Sequence, residues 1–491
     1  MTTADVFLGM PETCQSQRLY ACEKMIYKDV EVAGRPATFI IDPWTQHWII
    51  GDSSAVEILK LCNGRRTLSS IIEILDDRSS GASWEPERCI DVVDALLGAE
   101  MLFANKMQHE RCGRPVYNKS ELTGIHLEIT NACNMTCTHC YVSSGRKLPG
   151  ELTLDQIHAT IDMLPPFSGK RIAISGGEPV VRKDLLSIIE YAARDCGHAI
   201  DLYTNGWKFP SKVADRINEL NNETGGMIRL QLSLEGSDAE TNDAVRGKGS
   251  FDQALKSLEM FQRSGLNRSV VIFVCVTKNN IGQIDSLIEL AERFDVSMLV
   301  FSQWQRQGNA AGTPWATIAP SMDEWVRAGE HLLKYNNPRL SVFGNFYGDL
   351  NNNEFGRFSL DRRLFPKHVY MYNSFPRISP NGDVWADQLW VDPDWTLGNV
   401  ADGDLNDCFE TAKFYEQLER MRSRKEKISE CRQCEWRDLC EGGSPGHTFA
   451  EYGHMNEKDL FCDSRIYWFN RFVEYNVRVA EDAVRGVGAP I

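Results

Sequence analysis

The chain has 491 residues and 15 cysteines, and its net charge of −15 corresponds to an isoelectric point near 5.3. This length predicts two to four domains, and the acidic balance argues against a nucleic-acid binder and against binding to an anionic membrane surface. The longest apolar runs, such as 270–276, have the length of a strand, and the N-terminus lacks the pattern of a signal peptide. The cysteines indicate metal or redox chemistry rather than disulfides. We therefore expect a cytoplasmic protein that binds neither nucleic acid nor membrane.

A small unit is predicted over residues 21–106, after a flexible lead-in over residues 1–20. Its first half has the pattern of three strands and its second half the pattern of three helices, which together indicate a winged-helix-like fold. The first helix is predicted to begin with a capping box from Ser54 to Glu57 and to end at Asn63-Gly64. The strands are expected at 24–32, 37–41 and 44–50, and the helices at 54–62, 67–75 and 86–97.

The run from Phe39 to Leu75 resembles the RiPP recognition element, the precursor-recognition domain of the pyrroloquinoline-quinone type found in ribosomal peptide modification systems. The resemblance implies that the leader of a precursor peptide adds as a strand to the small sheet and packs beside the third helix. In this mode, backbone hydrogen bonds give affinity and side-chain pockets give selection. The alternative is a DNA-binding winged helix, which is disfavoured because the second helix carries no basic run and the chain is acidic.

Alternating strand and helix patterns between residues 120 and 330 predict an α/β unit with a parallel sheet and helices outside it. Six repeats indicate a partial (β/α)6 barrel, whose functional residues lie at the carboxyl ends of the strands. The segment Thr153 to Gln156 is predicted to cap the first helix. The strands are expected at 125–129, 171–175, 199–203, 228–234, 269–276 and 297–302, and the later helices at 184–194, 210–220, 251–263 and 281–294.

Three cysteines, Cys133, Cys137 and Cys140, follow the first of these strands in a C-x3-C-x2-C arrangement. A cubane 4Fe–4S cluster takes four thiolates, so three on one loop leave one iron open to another ligand. The alternative is three unrelated buried thiols. The spacing, with His139 before the last cysteine, resembles the radical S-adenosylmethionine (radical SAM) superfamily. The resemblance implies that SAM chelates the open iron and is cleaved to a 5′-deoxyadenosyl radical, which abstracts hydrogen from the substrate.

The same resemblance implies residues that contact SAM at the ends of the later strands. The run Gly176-Gly177-Glu178-Pro179 is the motif expected at the amino group of SAM, with Glu178 as the hydrogen-bond acceptor. Ser233 and Arg246 are expected to contact polar and carboxylate groups of SAM, and Asn205 to form the nearby wall. For Arg246, a surface salt bridge is an equal alternative.

Residues 370–491 are predicted to form a turn-rich module that ends in an amphipathic helix from 464 to 484, behind an irregular linker or cover at 331–369. Four of its cysteines supply enough thiolates for one closed iron–sulfur cluster, and a structural zinc site is the competing interpretation of the same spacing. These cysteines are Cys431, Cys434, Cys440 and Cys462.

This module resembles the SPASM extension of peptide-modifying radical SAM enzymes in the runs SPNGDVWADQLW and CRQCEWRDLC. The resemblance implies an auxiliary 4Fe–4S cluster on the four cysteines. Asp387 and Ser444 stand where the full pattern has cysteines of a further cluster, which implies that only one auxiliary cluster is present. Cys408 is expected to be a buried core thiol.

Other cysteines and tryptophans show no ligand spacing. Cys62, Cys89 and Cys275 sit within apolar patterns and are predicted to lie in the core, although one of the unassigned thiols is a conceivable hydrogen-atom donor. Three tryptophans of the C-terminal module are expected to be buried rather than to line a peptide groove; they are Trp385, Trp390 and Trp395.

These features lead to one functional hypothesis and three alternatives. The hypothesis is a radical SAM enzyme that modifies a ribosomally made precursor peptide, forming a thioether or carbon–carbon crosslink, with a flavodoxin or ferredoxin as electron donor. The alternatives are a peptide epimerase, a maturase of a folded partner enzyme and a non-enzymatic precursor-binding scaffold. The complete set of cysteine-loop and glycine motifs argues against the scaffold.

Overall fold

The computed structural model describes residues 16–43, 47–78, 86–104, 122–344, 346, 350–352, 358–360, 375–386, 388–389 and 392–486. The predictions for Asp387 and Trp390, and the start of the strand expected at 44–50, lie outside the described residues. None of the described helices combines the length and the apolar character that a membrane crossing requires.

The strands are β1 (Arg18–Tyr20), β2 (Ile26–Val32), β3 (Arg35–Ile41), β4 (Trp48–Gly51), β5 (Asn63–Thr67), β6 (Gly124–Thr130), β7 (Arg171–Gly176), β8 (Ala199–Thr204), β9 (Ile228–Ser233), β10 (Val270–Val276), β11 (Met298–Gln303), β12 (Ser341–Gly344), β13 (Leu350–Asn352), β14 (Phe358–Leu360), β15 (Arg377–Ile378), β16 (Asp383–Trp385) and β17 (Gly398–Asn399). The helices are α1 (Ser53–Leu61), α2 (Leu68–Arg78), α3 (Pro86–Gly98), α4 (Leu154–Asp162), α5 (Leu185–Glu190), α6 (Ser211–Thr224), α7 (Ala239–Arg246), α8 (Ser250–Arg263), α9 (Ile284–Arg293), α10 (Trp315–Ile318), α11 (Met322–Leu332), α12 (Ala412–Arg422), α13 (Arg424–Lys427), α14 (Arg437–Cys440), α15 (Pro445–Tyr452) and α16 (Cys462–Val484).

The N-terminal part contains an antiparallel sheet in the order β2-β3-β4 and a separate antiparallel pair, β1 with β5. The three predicted helices are present as α1, α2 and α3. Their apolar faces meet in one buried cluster that includes Ile58, Ile71 and Val93. The period of apolar residues along each helix is what allows the three faces to meet.

Two predictions about the ends of α1 are wrong. The helix is capped by Asp52, whose carboxylate accepts hydrogen bonds from the backbone N–H groups of Ser54 and Ala55, and not by a box from Ser54. Residues 63–67 do not form a turn into the second helix but pair as β5 with β1, so residues 18–20 belong to a sheet and not to a lead-in.

Ten strands form one sheet in the order β12-β11-β10-β9-β8-β7-β6-β15-β16-β17. The six predicted strands are β6 to β11, and each is parallel to its neighbours. The capping box predicted for α4 is confirmed, because Thr153 and Gln156 exchange side-chain to backbone hydrogen bonds. Helix α7, which carries Arg246, has no counterpart among the predicted helices.

The region 331–369 is not irregular throughout, contrary to the prediction. Strand β12 pairs in parallel with β11 and so extends the sheet past residue 330. Its four residues, Ser341 to Gly344, are too short for a recognisable period, and only the partner strand defines them.

The C-terminal part contacts both the barrel sheet and the small N-terminal sheet. Strand β15 pairs in parallel with β6, and β16 and β17 continue the sheet in antiparallel order. The predicted terminal helix is confirmed as α16, whose Phe472 ring lies 5.7 Å from Phe39 and 5.8 Å from Trp48. The small N-terminal sheet therefore packs on α16.

Candidate active site

Side chains from all six parallel strands line one cavity of about 280 Å³, which reaches the loops at the carboxyl ends of the strands. Because the strand order does not return to its start, these strands form an open barrel around the cavity. The inward residues, one for each strand from β6 to β11, include His126, Ser175, Tyr203, Ser233, Phe273 and Ser302.

The three cysteines of the first loop lie together at this cavity. Cys133, Cys137 and Cys140 all line it and are all half-buried. Burial raises the pKa of the Cys133 and Cys137 thiols above the usual value, so a bound metal is needed to hold them as thiolates. Three thiols on one loop beside an open volume match the donor set of a 4Fe–4S cluster with one free iron position.

The glycine pair packs against the backbone of the cysteine loop. Gly177 N–H donates to Thr130 O at 2.7 Å. A Cβ atom added at Gly176, which has φ +123°, would lie 2.2 Å from Thr130 O, and one added at Gly177 would lie 2.1 Å from Ala132 O. The glycines are thus required by the close approach of the loop itself, although both also line the cavity.

Glu178 is fully buried and lies behind the cavity wall, as does Pro179, so neither is among the residues that line the cavity. The Glu178 carboxylate accepts hydrogen bonds from Thr204 Oγ1 at 2.8 Å and from Asn205 N–H at 2.7 Å. Burial raises its pKa to about 7 in spite of these bonds. Asn205 does line the cavity, and its side-chain nitrogen lies 3.8 Å from Cys133 Sγ.

Arg246 is buried and not part of a surface salt bridge, so that alternative is wrong. Its Nη1 pairs with Glu235 Oε1 at 2.9 Å, and His139 Nε2 lies 3.1 Å from the same oxygen. Burial alone would raise the pKa of Glu235, but the charges of His139 and Arg246 hold it below its usual range. Ser233 lines the same cavity as these three residues and the three cysteines of the loop.

Several cavity residues were not predicted as functional. Cys275, expected in the core, lines the cavity, and its backbone N–H donates to Glu235 Oε2 at 2.7 Å. His126 bonds Ser175 through Nε2, and burial lowers its pKa to about 4. Alternation places Phe273 and Cys275 on the same face of β10, but the strand is apolar throughout, so the pattern does not show that this face is the inward one. Further polar residues that line the cavity are Gln303, Gln305 and Gln388.

A buried ion pair joins the first barrel strand to the C-terminal module. Arg377 on β15 donates two hydrogen bonds to Glu128 on β6, at 2.9 and 2.8 Å. Tyr141, directly after the last cysteine of the loop, donates to the same carboxylate at 3.4 Å. Through Tyr141, the Arg377–Glu128 pair therefore helps to hold the end of the cysteine loop. Both charges of the pair are removed from water, and each compensates the other.

The other four predicted cysteines also come together. Cys431, Cys434, Cys440 and Cys462 line a second cavity, of about 100 Å³. Trp436 lies between two of them in the chain, is buried and stacks on Phe469 of α16 at 5.1 Å, so the terminal helix closes the site. Four thiols around one small cavity fit a closed cluster and, equally, a zinc ion.

Asp387 and Ser444 stand at the two positions where the SPASM pattern has cysteines of a further cluster, and of these two the structure describes Ser444. Ser444 caps α15: its Oγ accepts from His447 N–H at 3.2 Å, and its N–H donates to Asp459 Oδ2 at 2.8 Å. Asp387 lies outside the described residues. Cys408 is buried beside Gly398 and lines neither of these two cavities, as expected of a core thiol.

The model of the radical SAM superfamily matches residues 127–291. The mycofactocin maturase MftC of Mycobacterium tuberculosis is 30% identical over 337 residues, which cover 68% of this chain and 81% of that protein. The Fe-coproporphyrin III synthase of Methanosarcina barkeri is 27% identical over 370 residues, which cover 70% and 89% of the two chains.

Two solved structures share the fold. The SuiB protein of Streptococcus suis, bound to its precursor peptide SuiA, matches with a TM-score of 0.56 and 16% identity, over 90% of this chain and 99% of that chain. The protein anSMEcpe, with bound AdoMet and a Cp18Cys peptide, matches with a TM-score of 0.55 and 18% identity, over 73% of this chain and 99% of that chain. By the match to the superfamily model and the extent of the MftC alignment, the chain belongs to the radical SAM superfamily, whose members use a 4Fe–4S cluster and S-adenosylmethionine.

Proposed function

We propose that the protein modifies a ribosomally synthesised precursor peptide by radical SAM chemistry. The observation that carries this proposal is the convergence of Cys133, Cys137 and Cys140 on a cavity lined by all six barrel strands. The peptide substrate is supported by the relatives: MftC is a maturase, and SuiB is seen with its precursor peptide.

In this proposal the three cysteines of the first loop hold the cluster. When bound, the cluster and SAM supply a 5′-deoxyadenosyl radical that abstracts hydrogen from the peptide. The SAM contacts proposed are residues that line the cavity: His139, Gly176, Gly177, Asn205, Ser233 and Arg246. Glu178 and Pro179 would support this wall of the cavity from behind.

The chain's own groups suit these roles to different degrees. Arg246 Nε is buried without a hydrogen-bond partner, so this N–H remains free to donate to a carboxylate. Asn205 and Ser233 present neutral polar groups to the cavity. Glu178 would act from behind the wall, through the backbone N–H group that it holds at Asn205.

We propose that Cys431, Cys434, Cys440 and Cys462 hold one auxiliary 4Fe–4S cluster. Their position around one cavity supports a common ligand, and the engagement of Ser444 in capping α15 is consistent with a single auxiliary cluster. Metal analysis distinguishes this cluster from a structural zinc ion at the same four cysteines. About eight irons per chain would indicate two clusters, whereas about four irons and one zinc would indicate the zinc site.

The N-terminal unit is proposed to capture the leader of the peptide at the β4 edge. Strand β2 contacts α16, and Ala33 N–H, just after β2, donates to Glu481 at 3.1 Å. This leaves β4 as the other edge of the three-stranded sheet, available for an added strand beside α3.

The reaction outcome proposed is a thioether or carbon–carbon crosslink, with the electron left over passing to the auxiliary cluster and a flavodoxin or ferredoxin reducing the first cluster. Epimerisation is the second candidate, favoured by Cys275, whose side chain lines the cavity. An epimerase would need this thiol to return a hydrogen atom to the peptide radical. The substitution Cys275→Ala would then abolish the product, and deuterium from solvent would enter the peptide of the unchanged enzyme; a crosslinking enzyme gives neither result.

The test of the function is anaerobic reaction of the reconstituted, reduced protein with SAM and a synthetic copy of a short peptide encoded beside its gene. We expect 5′-deoxyadenosine and a change in peptide mass. The triple variant C133A/C137A/C140A should form neither product and still bind the peptide, whereas C408A, which removes a buried thiol away from both cavities, should behave like the unchanged protein. An iron-loaded protein that fails to cleave SAM contradicts the proposal.

A further inference from the structure

The segment that follows β11 touches both the cysteine loop and the barrel cavity. Asn309 N–H donates to Cys140 O at 2.9 Å, and Asn309 Nδ2 donates to Cys137 O at 2.9 Å. Four residues earlier, the side chain of Gln305 lines the cavity. The position of Gln305 is therefore tied to the site of the first reaction step.

The same segment is held to helix α15 of the C-terminal module by two side-chain contacts. Gln305 Nε2 lies 2.7 Å from His447 Nε2, and Arg306 pairs with Glu451 at 2.6 Å. An amide N–H that donates to Nε2 leaves the ring proton of a neutral histidine on Nδ1. In that tautomer, the Nδ1–H group of His447 is buried without a hydrogen-bond partner, and Asp459 Oδ2 lies 4.0 Å from Nδ1, beyond hydrogen-bond distance.

Asp459 connects this histidine with the four-cysteine cavity. It is almost fully buried, pairs with Arg465 Nη1 at 2.6 Å and accepts the backbone N–H groups of Ser444 and Phe461 at 2.8 Å. Both Asp459 and Arg465 line the cavity of the four cysteines. A series of polar side chains, Gln305, His447, Asp459 and Arg465, thus runs from one cavity to the other.

We propose that His447 is a positioning residue that couples the barrel cavity to the reduction potential of the centre held by the four cysteines. This inference rests on the proposed function, because it requires that the centre be redox-active. One electron added to the centre is stabilised by N–H dipoles that point towards it. Gln305 fixes the direction of the His447 dipole, so any group that draws the Gln305 amide away changes how well the centre accepts an electron.

Coupling of this kind is reciprocal. If a ligand at Gln305 changes the reduction equilibrium of the centre, reduction of the centre changes the affinity for that ligand by the same factor. An occupant of the barrel cavity that draws the Gln305 amide away from His447 would therefore make the centre harder to reduce, and reduction of the centre would weaken the binding of that occupant. Ser444 takes part in the bridge, through its bond to Asp459, at the position where the SPASM pattern has a cysteine of a further cluster.

The test is a double-mutant cycle in the full-length C133A/C137A/C140A protein, in which the four-cysteine centre is the one that remains. Redox titration followed by electron paramagnetic resonance gives its midpoint potential in four forms: unchanged, Q305L, H447F and the combination. We expect Q305L and H447F each to make reduction three- to tenfold less favourable, a fall of about 30 to 60 mV for a one-electron couple. The combination should fall no further than H447F alone.

Two more variants complete the design. H447Q, which keeps a side-chain N–H at the position, should restore part of the potential, and it also serves if H447F incorporates iron poorly. H454F changes an exposed histidine of the same module and should leave the potential unchanged.

Each outcome decides between the proposals. Additive shifts, or no shift in Q305L, overturn the coupling while leaving the auxiliary cluster in place. A protein without about four irons in the triple-variant background overturns the auxiliary cluster and this inference together.

Discussion

The glycine pair at the end of β7 contacts the cysteine loop and also lines the cavity. Gly176 and Gly177 approach the backbone of the cysteine loop so closely that no Cβ atom fits, and the same residues border the cavity. Loop position and cavity shape therefore depend on the same contact. A side chain at either site would move the cysteines before it met any ligand.

At this scale we predict that Gly177→Ala prevents assembly of the first cluster. The added methyl group would lie 2.1 Å from Ala132 O, so the loop must shift and its three thiols separate. Iron should fall from about eight to about four per chain, and SAM cleavage should be lost. Gly145→Ala is the matched control, because a Cβ atom at Gly145 meets open space. Equal iron content in the two variants would show that the loop tolerates the contact.

Some residues of the site could be predicted from the sequence and others could not. The three cysteines follow one another on a short loop, so their spacing alone brings them together. The burial of Glu178 could not be predicted, because a motif gives the order of residues and not the direction of a side chain; here donors at Thr204 and Asn205 decide it. Cys275 was missed because an apolar strand conceals which face is inward.

At the scale of elements, α16 connects the two ends of the chain. Its Phe472 contacts Phe39 and Trp48 of the small sheet, and Phe469 on the same helix stacks on Trp436 beside the four cysteines. A lysine of β2, Lys28, also lies over the Trp436 ring at 5.0 Å. The unit proposed to capture the peptide and the four-cysteine site thus share one supporting helix.

We predict that Phe472→Ala lowers the free energy of unfolding by about 3–5 kcal/mol, because it leaves a cavity between two aromatic rings. The measurement is the shift in denaturant midpoint, followed by circular dichroism. Val484→Ala, at a position on the same helix that is 69% exposed, should change the midpoint little. Similar shifts for the two variants would mean that the helix contributes little through this contact.

Helix caps and strand periodicity in the sequence predict some ends of helices and strands correctly and others not. Thr153 and Gln156 form the expected capping box, because the side chain of each residue bonds the backbone N–H of the other. The start of α1 was missed because Asp52 and Ser54 are both good capping residues, and the Asp52 carboxylate is also held by Arg88 of α3 at 2.7 Å. Strand β15 has two residues and therefore no period at all; only its pairing with β6 defines it.

At the scale of the whole molecule, buried neutral histidines make the fold sensitive to acid. Burial lowers the pKa of both His126 and His447 from 6.5 to about 4. Between these values the unfolded chain binds a proton at each position and the folded chain does not. The free energy of unfolding is therefore highest above pH 6.5. It decreases as the pH falls towards 4, by roughly 3 kcal/mol for each histidine.

We predict that His447→Gln makes this loss smaller. Urea midpoints at about pH 7 and about pH 5 should differ less in the variant than in the unchanged protein, because one of the two groups no longer titrates. His454→Gln, at an exposed site, should keep the original difference. If His447→Gln keeps it as well, burial of this histidine does not contribute to the acid sensitivity.

The pairing of β15 with β6 also has a consequence for the synthesis of the chain. Strand β6 obtains its second neighbour from residues that follow it by about 250 positions. Until those residues leave the ribosome, roughly ten to fifty seconds later, β6, which is buried along its whole length in the folded protein, has an open edge. The C-terminal module covers this edge in the folded protein, and we expect a chain that stops before residue 375 to keep it exposed and therefore to aggregate more readily.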